Sequence, residues 1–205
     1  MPCPSVMIFH VDHLQILKRD LQKMLNIQRL KQIRYSLTID VCKTLVQCLV
    51  ISHLDYANAI LVGLPICELN KLQRIQNIAA KCILGRDYRD SSTQTLKDLH
   101  WLPIRARIDF KIASLIFKCL NNTAPQYLID LIKPNLSKRP GLRSRNNGIL
   151  LEIPFTSKKT FADRSFSVYG PKLWNNLPFN VRSSGNFESF KKCLKTHLFT
   201  RKFIL

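Results

Sequence analysis

The sequence predicts a mainly α chain: a compact helical bundle, then an irregular and basic C-terminal region that closes on one amphipathic helix. Three observations lead there. Through the first two thirds, apolar residues recur at spacings of three and four. Glycine and proline interrupt that pattern where short helix-to-helix turns would fall, and such short connections favour antiparallel neighbours in a bundle. From Lys133 the pattern gives way, with five of the ten prolines lying between 134 and 178. The predicted segments are an N-terminal amphipathic helix in 1–34, a helical bundle in 35–131, and a basic, Pro-rich region in 132–205 that ends in a helix.

Each element has a local reason. In residues 11–34, Leu14, Leu17, Leu21, Met24 and Leu25 form one apolar stripe. Thr38 suits the N-cap of a second helix carrying Val41, Leu45, Cys48 and Leu49 inward and running to about Val62. Gly63-Leu64-Pro65 breaks it. Pro65 opens a third helix, where its missing N–H does no harm, with the stripe Leu69, Leu72, Ile75, Ala79 and Ile83 and with Gly85 as its stop. Ser92 or Thr93 caps a short helix ending near His100. Pro103 starts a longer one with Ile104, Ile108, Ile112, Leu115, Ile116 and Cys119 inward, closed by Asn121-Asn122-Thr123. Pro125 begins a short helix through Leu131.

Residues 134–185 read as irregular, with a basic, Gly/Pro-punctuated linker from Ser137 to Asn147 and a short strand at Ile149–Ile153. In this aliphatic-poor stretch Phe166, Tyr169, Trp174 and Phe179 are expected to build a small core. The last helix, from about Asn186 to Thr200, turns Phe187, Phe190, Leu194 and Leu198 to one side and Lys191, Lys192 and Lys195 to the other.

Charge is the clearest functional signal. The chain has 32 Lys and Arg against 13 Asp and Glu, a net +19 over 205 residues. Residues 131–205 hold 15 of the cations and 3 of the acids, together with ten of the chain's 18 aromatic residues. A surplus of this size implies a polyanionic partner, nucleic acid first and an anionic membrane second. Phosphate contact needs cations along one surface, and contact with single-stranded bases needs aromatic faces. The candidate nucleic-acid-binding residues are Arg139, Arg143, Arg145, Lys158, Lys159 and Arg164 in predicted loops, with Lys191, Lys192 and Lys195 on the last helix.

Seven cysteines at positions 3, 42, 48, 67, 82, 119 and 193 form no C-x-x-C pair and are odd in number. Cys42, Cys48, Cys67, Cys82 and Cys119 fall on predicted helices, where a free thiol behaves as a small apolar residue. Neither a disulfide framework nor a zinc site is expected, which points to a reducing compartment, cytoplasm or nucleus. No apolar run approaches the roughly 18 residues of a membrane span. The first ten residues lack the basic start and apolar stretch of a signal peptide, so an intracellular, non-secreted protein is expected.

Catalytic signatures are not found. The sequence holds no adjacent carboxylate pair of the kind that grips two metal ions in nucleotidyl transfer. Asp87-Tyr88-Arg89-Asp90 is the nearest approach. There is no G-x-S-x-G, no Gly-rich phosphate loop and no H-E-x-x-H. No catalytic residue, metal ligand or cofactor is expected.

Four ordered motifs carry a family resemblance. They are Ser52-His53-Leu54-Asp55-Tyr56-Ala57-Asn58-Ala59-Ile60-Leu61-Val62-Gly63-Leu64-Pro65 with Lys71-Leu72-Gln73-Arg74-Ile75-Gln76-Asn77; Leu99-His100-Trp101-Leu102-Pro103-Ile104 with Arg107-Ile108; Ala124-Pro125-Gln126-Tyr127-Leu128; and Arg164-Ser165-Phe166-Ser167 with Pro171-Lys172-Leu173-Trp174-Asn175-Asn176-Leu177-Pro178. From about Leu30 to its end the chain resembles the region after the polymerase core of LINE-type (non-LTR) retrotransposon reverse transcriptases of jockey-like mobile elements. The resemblance implies a helical thumb over 35–131 and, over 132–205, the basic C-terminal region that handles template RNA and target DNA in such RNA-directed DNA polymerases. Endonuclease, fingers and palm of that family have no counterpart in this sequence, so the expectation is a non-catalytic fragment with residual, sequence-independent binding of RNA or single-stranded DNA. A polymerase palm would be its partner in a full-length parent. The alternatives are a helical protein-interaction module and a decayed element fragment without activity.

Overall fold

The computed structural model describes residues 25–56, 58–135, 149–155 and 163–203. Among these the protein is mainly α-helical, as its apolar periodicity predicts, and the only extended pairing is a lone antiparallel bridge between Pro134 and Leu151. The chain divides into two compact units. One takes the described residues up to Tyr56 together with Pro65–Ile104; the other takes residues 58–64 and the described residues from Arg105 onward.

The first unit opens with helix α1 (25–33), which buries Ile27 and Leu30, and a 3-10 turn at Arg34–Ser36. Helix α2 (Ile39–Val46) starts where expected: the Thr38 side chain accepts from Val41 N, satisfying one of the donors a helix start leaves open. The chain stays helical through a π turn at Gln47–Ile51 and into α3 (Ser52–Asp55). Its buried stripe is Cys42, Val46, Val50, Ile51 and Leu54, one residue over from the predicted one. Val41 and Leu49 face outward, Leu49 being 40% exposed. Helical spacing does not choose between the two, because 41, 42, 45, 46, 49 and 50 are all apolar and make two adjacent ridges. The helix also ends earlier than expected, at Asp55, and a separate 3-10 turn covers Asn58–Leu61.

Helix α4 (Ile66–Leu84) begins after Pro65 and ends on Gly85, whose φ of 64° and ψ of 29° are left-handed; Arg86 N then closes on Lys81 O at 3.0 Å. Leu72, Ile75, Ala79 and Ile83 are buried as predicted. Arg34 completes this helix end: its guanidinium donates to Cys82 O (3.0 Å) and Ile83 O (2.8 Å), placing a cation on carbonyls at the negative end of the helix dipole. Helix α5 (Ser92–Asp98) is capped by Ser91, one or two residues before the predicted cap, because it is the Ser91 hydroxyl that accepts from Gln94 N.

Beyond α5 the chain turns at His100, with φ of 51°, and buries Trp101, Leu102 and Pro103 without regular structure. Buried irregular backbone must find its hydrogen bonds elsewhere, and α4 supplies them. Gln76, fully buried, donates through Nε2 to Leu102 O (2.9 Å), and Gln73 Oε1 accepts from Ile104 N (2.9 Å). Gln73 Nε2 in turn bonds Gln76 Oε1 (2.9 Å) and Asn77 Oδ1 (2.8 Å), fixing which way the amides point. Two of the four sequence motifs therefore meet here as one hydrogen-bonded clasp.

The second unit is built on α6 (Ile104–Leu120), with Ile108, Ile112, Ile116 and Cys119 buried as predicted and Leu115 half-buried. Its end is left-handed at Asn122 (φ 54°), and Thr123 N reaches back to Lys118 O. Helix α7 (Gln126–Ile129) follows Pro125 and stops short of the predicted Leu131. The stretch expected to be irregular contains two helices, α8 (Phe166–Asn175) and α9 (Phe179–Arg182). Gly170 and Pro171 in mid-helix argue against α8 by propensity, but tertiary packing overrides it. A Cβ at Gly170 would lie 3.1 Å from Ile116 Cδ1, so the glycine permits the close approach of α8 to α6.

Trp174 is buried as predicted, Phe166 and Tyr169 are half-buried, and Phe179 is 45% exposed instead of joining the core. Trp174 Nε1 donates to Ile149 O (2.9 Å), and Asn175 exchanges two bonds with Leu151, one to its N and one to its O, both 2.9 Å. This holds the predicted 149–153 strand as an extended segment that pairs only at one bridge. Helix α10 (Phe187–Phe203) buries Phe190, Leu194 and Leu198, with Phe190 stacked on Phe117 at 4.4 Å and against Trp174 at 5.7 Å. Gly63, with φ of 72°, belongs to this unit as well: a Cβ there would overlap Arg164 Cγ, so the arginine stem crosses the turn where a side chain would stand.

The glutamine clasp makes a testable demand. Replacing Gln76 with Leu keeps roughly the same shape but removes the buried amide donor to the Leu102 carbonyl, and should cost about 1–3 kcal/mol. The urea midpoint should fall at constant m-value, while Gln28→Leu on the exposed side of α1 should stay within about 0.5 kcal/mol of the parent.

Candidate nucleic-acid interface

Of the nine basic residues singled out in the sequence, Arg139, Arg143, Arg145, Lys158 and Lys159 lie outside the described residues. The other four are in the second unit. Arg164 is exposed, with its stem across Gly63. Lys191, Lys192 and Lys195 lie on α10 as predicted, and they differ in availability. Lys191 is half-buried, pairs with Glu188 at 2.7 Å, and stands 4.8 Å from the Phe187 ring centre, which Lys118 also approaches at 4.9 Å. Lys192 and Lys195 are exposed.

The helix extends this set in a way the sequence reading missed. Lys192, Lys195, Phe199 and Lys202 follow one another at spacings of three and four, so they form one outward stripe about 15 Å long opposite Phe190 and Leu194. Phe199 and Phe203 are half-buried and lie against each other with ring centres 4.7 Å apart. The signal that would have found them is the continuation of the lysine face past Lys195: Phe199 lies within the predicted helix, and Lys202 within the three residues by which α10 runs past Thr200.

Other cations serve the fold. Arg182 donates to Leu177 O (3.0 Å), and burial holds its guanidinium below its ordinary value. Arg86 bonds Thr95 and Asp98, and that hydrogen bond lowers the Asp98 carboxyl. Lys172 pairs with Asp163 at 2.6 Å.

Two titratable groups of the second unit sit near α10's inner side. Asp109 accepts from the Tyr169 hydroxyl at 2.7 Å, and burial raises its pKa more than Tyr169, Arg105 and Arg201 lower it. His197 is pushed below its ordinary 6.5, mainly by burial and also by Arg201. It therefore adds no charge to the helix at neutral pH.

The thiols divide in a similar way. Cys42, Cys82 and Cys119 are buried as predicted, but Cys48, Cys67 and Cys193 are exposed, so Cys48 and Cys67 are not core residues. Cys48 lies with Leu49 on the outward side of the π turn, and Cys67 lies in the exposed first turn of α4. Burial, then the adjoining Cys42 thiol, pushes Cys82 up to about 11. Among the described residues no three His, Cys, Asp or Glu side chains gather in a way that could hold a metal ion, and no helix is long and apolar enough to cross a membrane.

No protein-family model, curated protein or solved structure matches the chain.

His197 sets a pH dependence whose sign follows from its depressed pKa. The unfolded chain binds the proton more readily, so the contribution of neutral His197 is complete above about 6.5 and is lost as pH falls through the lower folded value. The stability difference between the parent and His197→Gln should be constant from pH 7 to 8 and shift against the parent below about 6.5, as read by denaturant midpoints across that range.

Proposed function

We propose that this chain is a non-catalytic C-terminal piece of a LINE-type retrotransposon reverse transcriptase that binds RNA or single-stranded DNA without regard to sequence. The ancestry rests on the four ordered motifs. The binding function rests on one observation: the outward stripe of α10, in which Lys192, Lys195 and Lys202 are exposed. Cations at helical spacing meet successive phosphates of a backbone whatever bases it carries.

The contacts of the motif residues are those of a scaffold. Gln73 and Gln76 hold the Leu102–Ile104 backbone, Trp174 and Asn175 hold residues 149–151, and Gly63 makes room for Arg164. None of these side chains brings carboxylates together for metal-dependent nucleotidyl transfer, and the purified chain should not extend a primed template with magnesium or manganese. Template-directed extension that survives a purification control would overturn this.

A second reading has its own observation. Tyr35, Ile39 and Val41 of the first unit are exposed, Tyr35 almost completely, which suits a surface that meets another protein, such as a polymerase palm in the parent.

Salt separates the two readings. If about five phosphates are neutralised, log K against log salt should fall with a slope near −3.5 for single strands. Replacing Lys192, Lys195 and Lys202 together with Ala should flatten the slope by up to about 2, as measured by fluorescence anisotropy of a labelled RNA over a salt series. Affinity that ignores salt would favour the protein-interaction module, and absence of binding at low salt would favour an inactive element fragment.

A further inference from the structure

The first unit carries a groove of about 430 Å³ between the outer face of α4 and the loop that follows it. Its helical wall is Asn70, Arg74, Asn77 and Lys81, spaced so that one face of α4 lines it, and its other wall holds Tyr88 and Asp90. Lys81 is the unusual member. It is only 8% exposed, and its ammonium is committed to the Tyr88 carbonyl (2.7 Å) and stands 5.5 Å from the Tyr88 ring centre. A buried lysine held this way fixes the loop on the helix and presents the Tyr88 ring, 82% exposed, at the lip of the groove.

The charges in the groove offset one another. Asp90 accepts from Asp87 N and opposes Lys81, so the interior is poorly suited to a phosphate. What remains is an aromatic face and carboxamides. Asn77 Oδ1 is taken by Gln73 at 2.8 Å, which orients the amide and leaves its Nδ2 to serve the groove. Arg74 is exposed at the edge. We propose that this groove receives one nucleobase of a bound single strand, stacked on Tyr88 with its edge read by Asn77 and Asn70, while Arg74 meets the adjoining phosphate. The proposal rests on the single-strand reading above and adds a base-contacting site in the first unit, made of residues other than those chosen by charge.

The test compares a single-stranded oligonucleotide with an abasic strand of the same length, each labelled for anisotropy and titrated with the full chain at low salt. The base-bearing strand should bind more tightly by about fivefold to a hundredfold, the range that one stacked base supplies. Tyr88→Ala should bring that ratio close to one without altering the salt slope, because it keeps the carbonyl that Lys81 holds. Tyr88→Phe should preserve the ratio. Equal binding of both strands, or a preference that survives Tyr88→Ala, overturns the groove and leaves charge-driven binding standing. No binding of either strand overturns both.

Discussion

Buried backbone that belongs to no helix has to be hydrogen-bonded by something, and most of this protein's distinctive residues answer that demand. A carbonyl or N–H withdrawn from water without a partner costs more than an ordinary hydrogen bond contributes. Between α5 and α6 the chain passes Trp101, Leu102 and Pro103 through the interior of the first unit; Trp101 N closes on Leu96 O (2.9 Å) at the end of α5, and the segment beyond runs outside helix and sheet. Gln73 and Gln76 are spaced to face the same way from α4, and their amides meet that segment at Leu102 and Ile104. In the second unit Trp174 and Asn175 hold the extended segment 149–151 in the same manner where it enters the interior at Leu151. Long amides suit this work because each offers both a donor and an acceptor on one rigid plane.

The same demand recruits cations. Arg34 sits on the terminal carbonyls of α4, Lys81 on Tyr88 O and Arg182 on Leu177 O. A guanidinium or ammonium used in this way has committed part of its donors within the protein. Formal net charge therefore overstates what a polyanion would meet, and position on an outward stripe, as for Lys192, Lys195 and Lys202, is the better measure.

Helix boundaries were legible where a single residue has a local reason to sit there: Thr38, Pro65, Gly85, Pro125 and the apolar face of α10 all do what their chemistry suggests. Facing was legible only where one stripe is apolar. On α4 and α6 it was, but on α2 the doubled ridge left two solutions one residue apart, and packing chose the second. Helix α8 was hidden because Gly170 and Pro171 speak against a helix locally, while the reason for the glycine, Ile116 beneath it, lies on another element. The lysines of the candidate interface could be read from amphipathicity. The Tyr88 groove could not, since it depends on Lys81 folding back over a loop seven residues ahead.

The turn at Gly63 ties a surface arginine to a place in the fold. Because the stem of Arg164 occupies the volume a Cβ would need, the two positions are coupled despite their separation in the chain. Shortening residue 164 would free the space but leave the backbone left-handed, so a side chain placed at 63 would meet one removable obstacle and one fixed one. The guanidinium of Arg164 is consequently a tethered charge, whose reach is limited by a stem already lying across the turn, in contrast to a lysine free to sweep from a helix face. For any phosphate it meets, it would act as a locating contact: less conformational freedom is left to lose on binding, and a strand laid along this unit would be registered from that point.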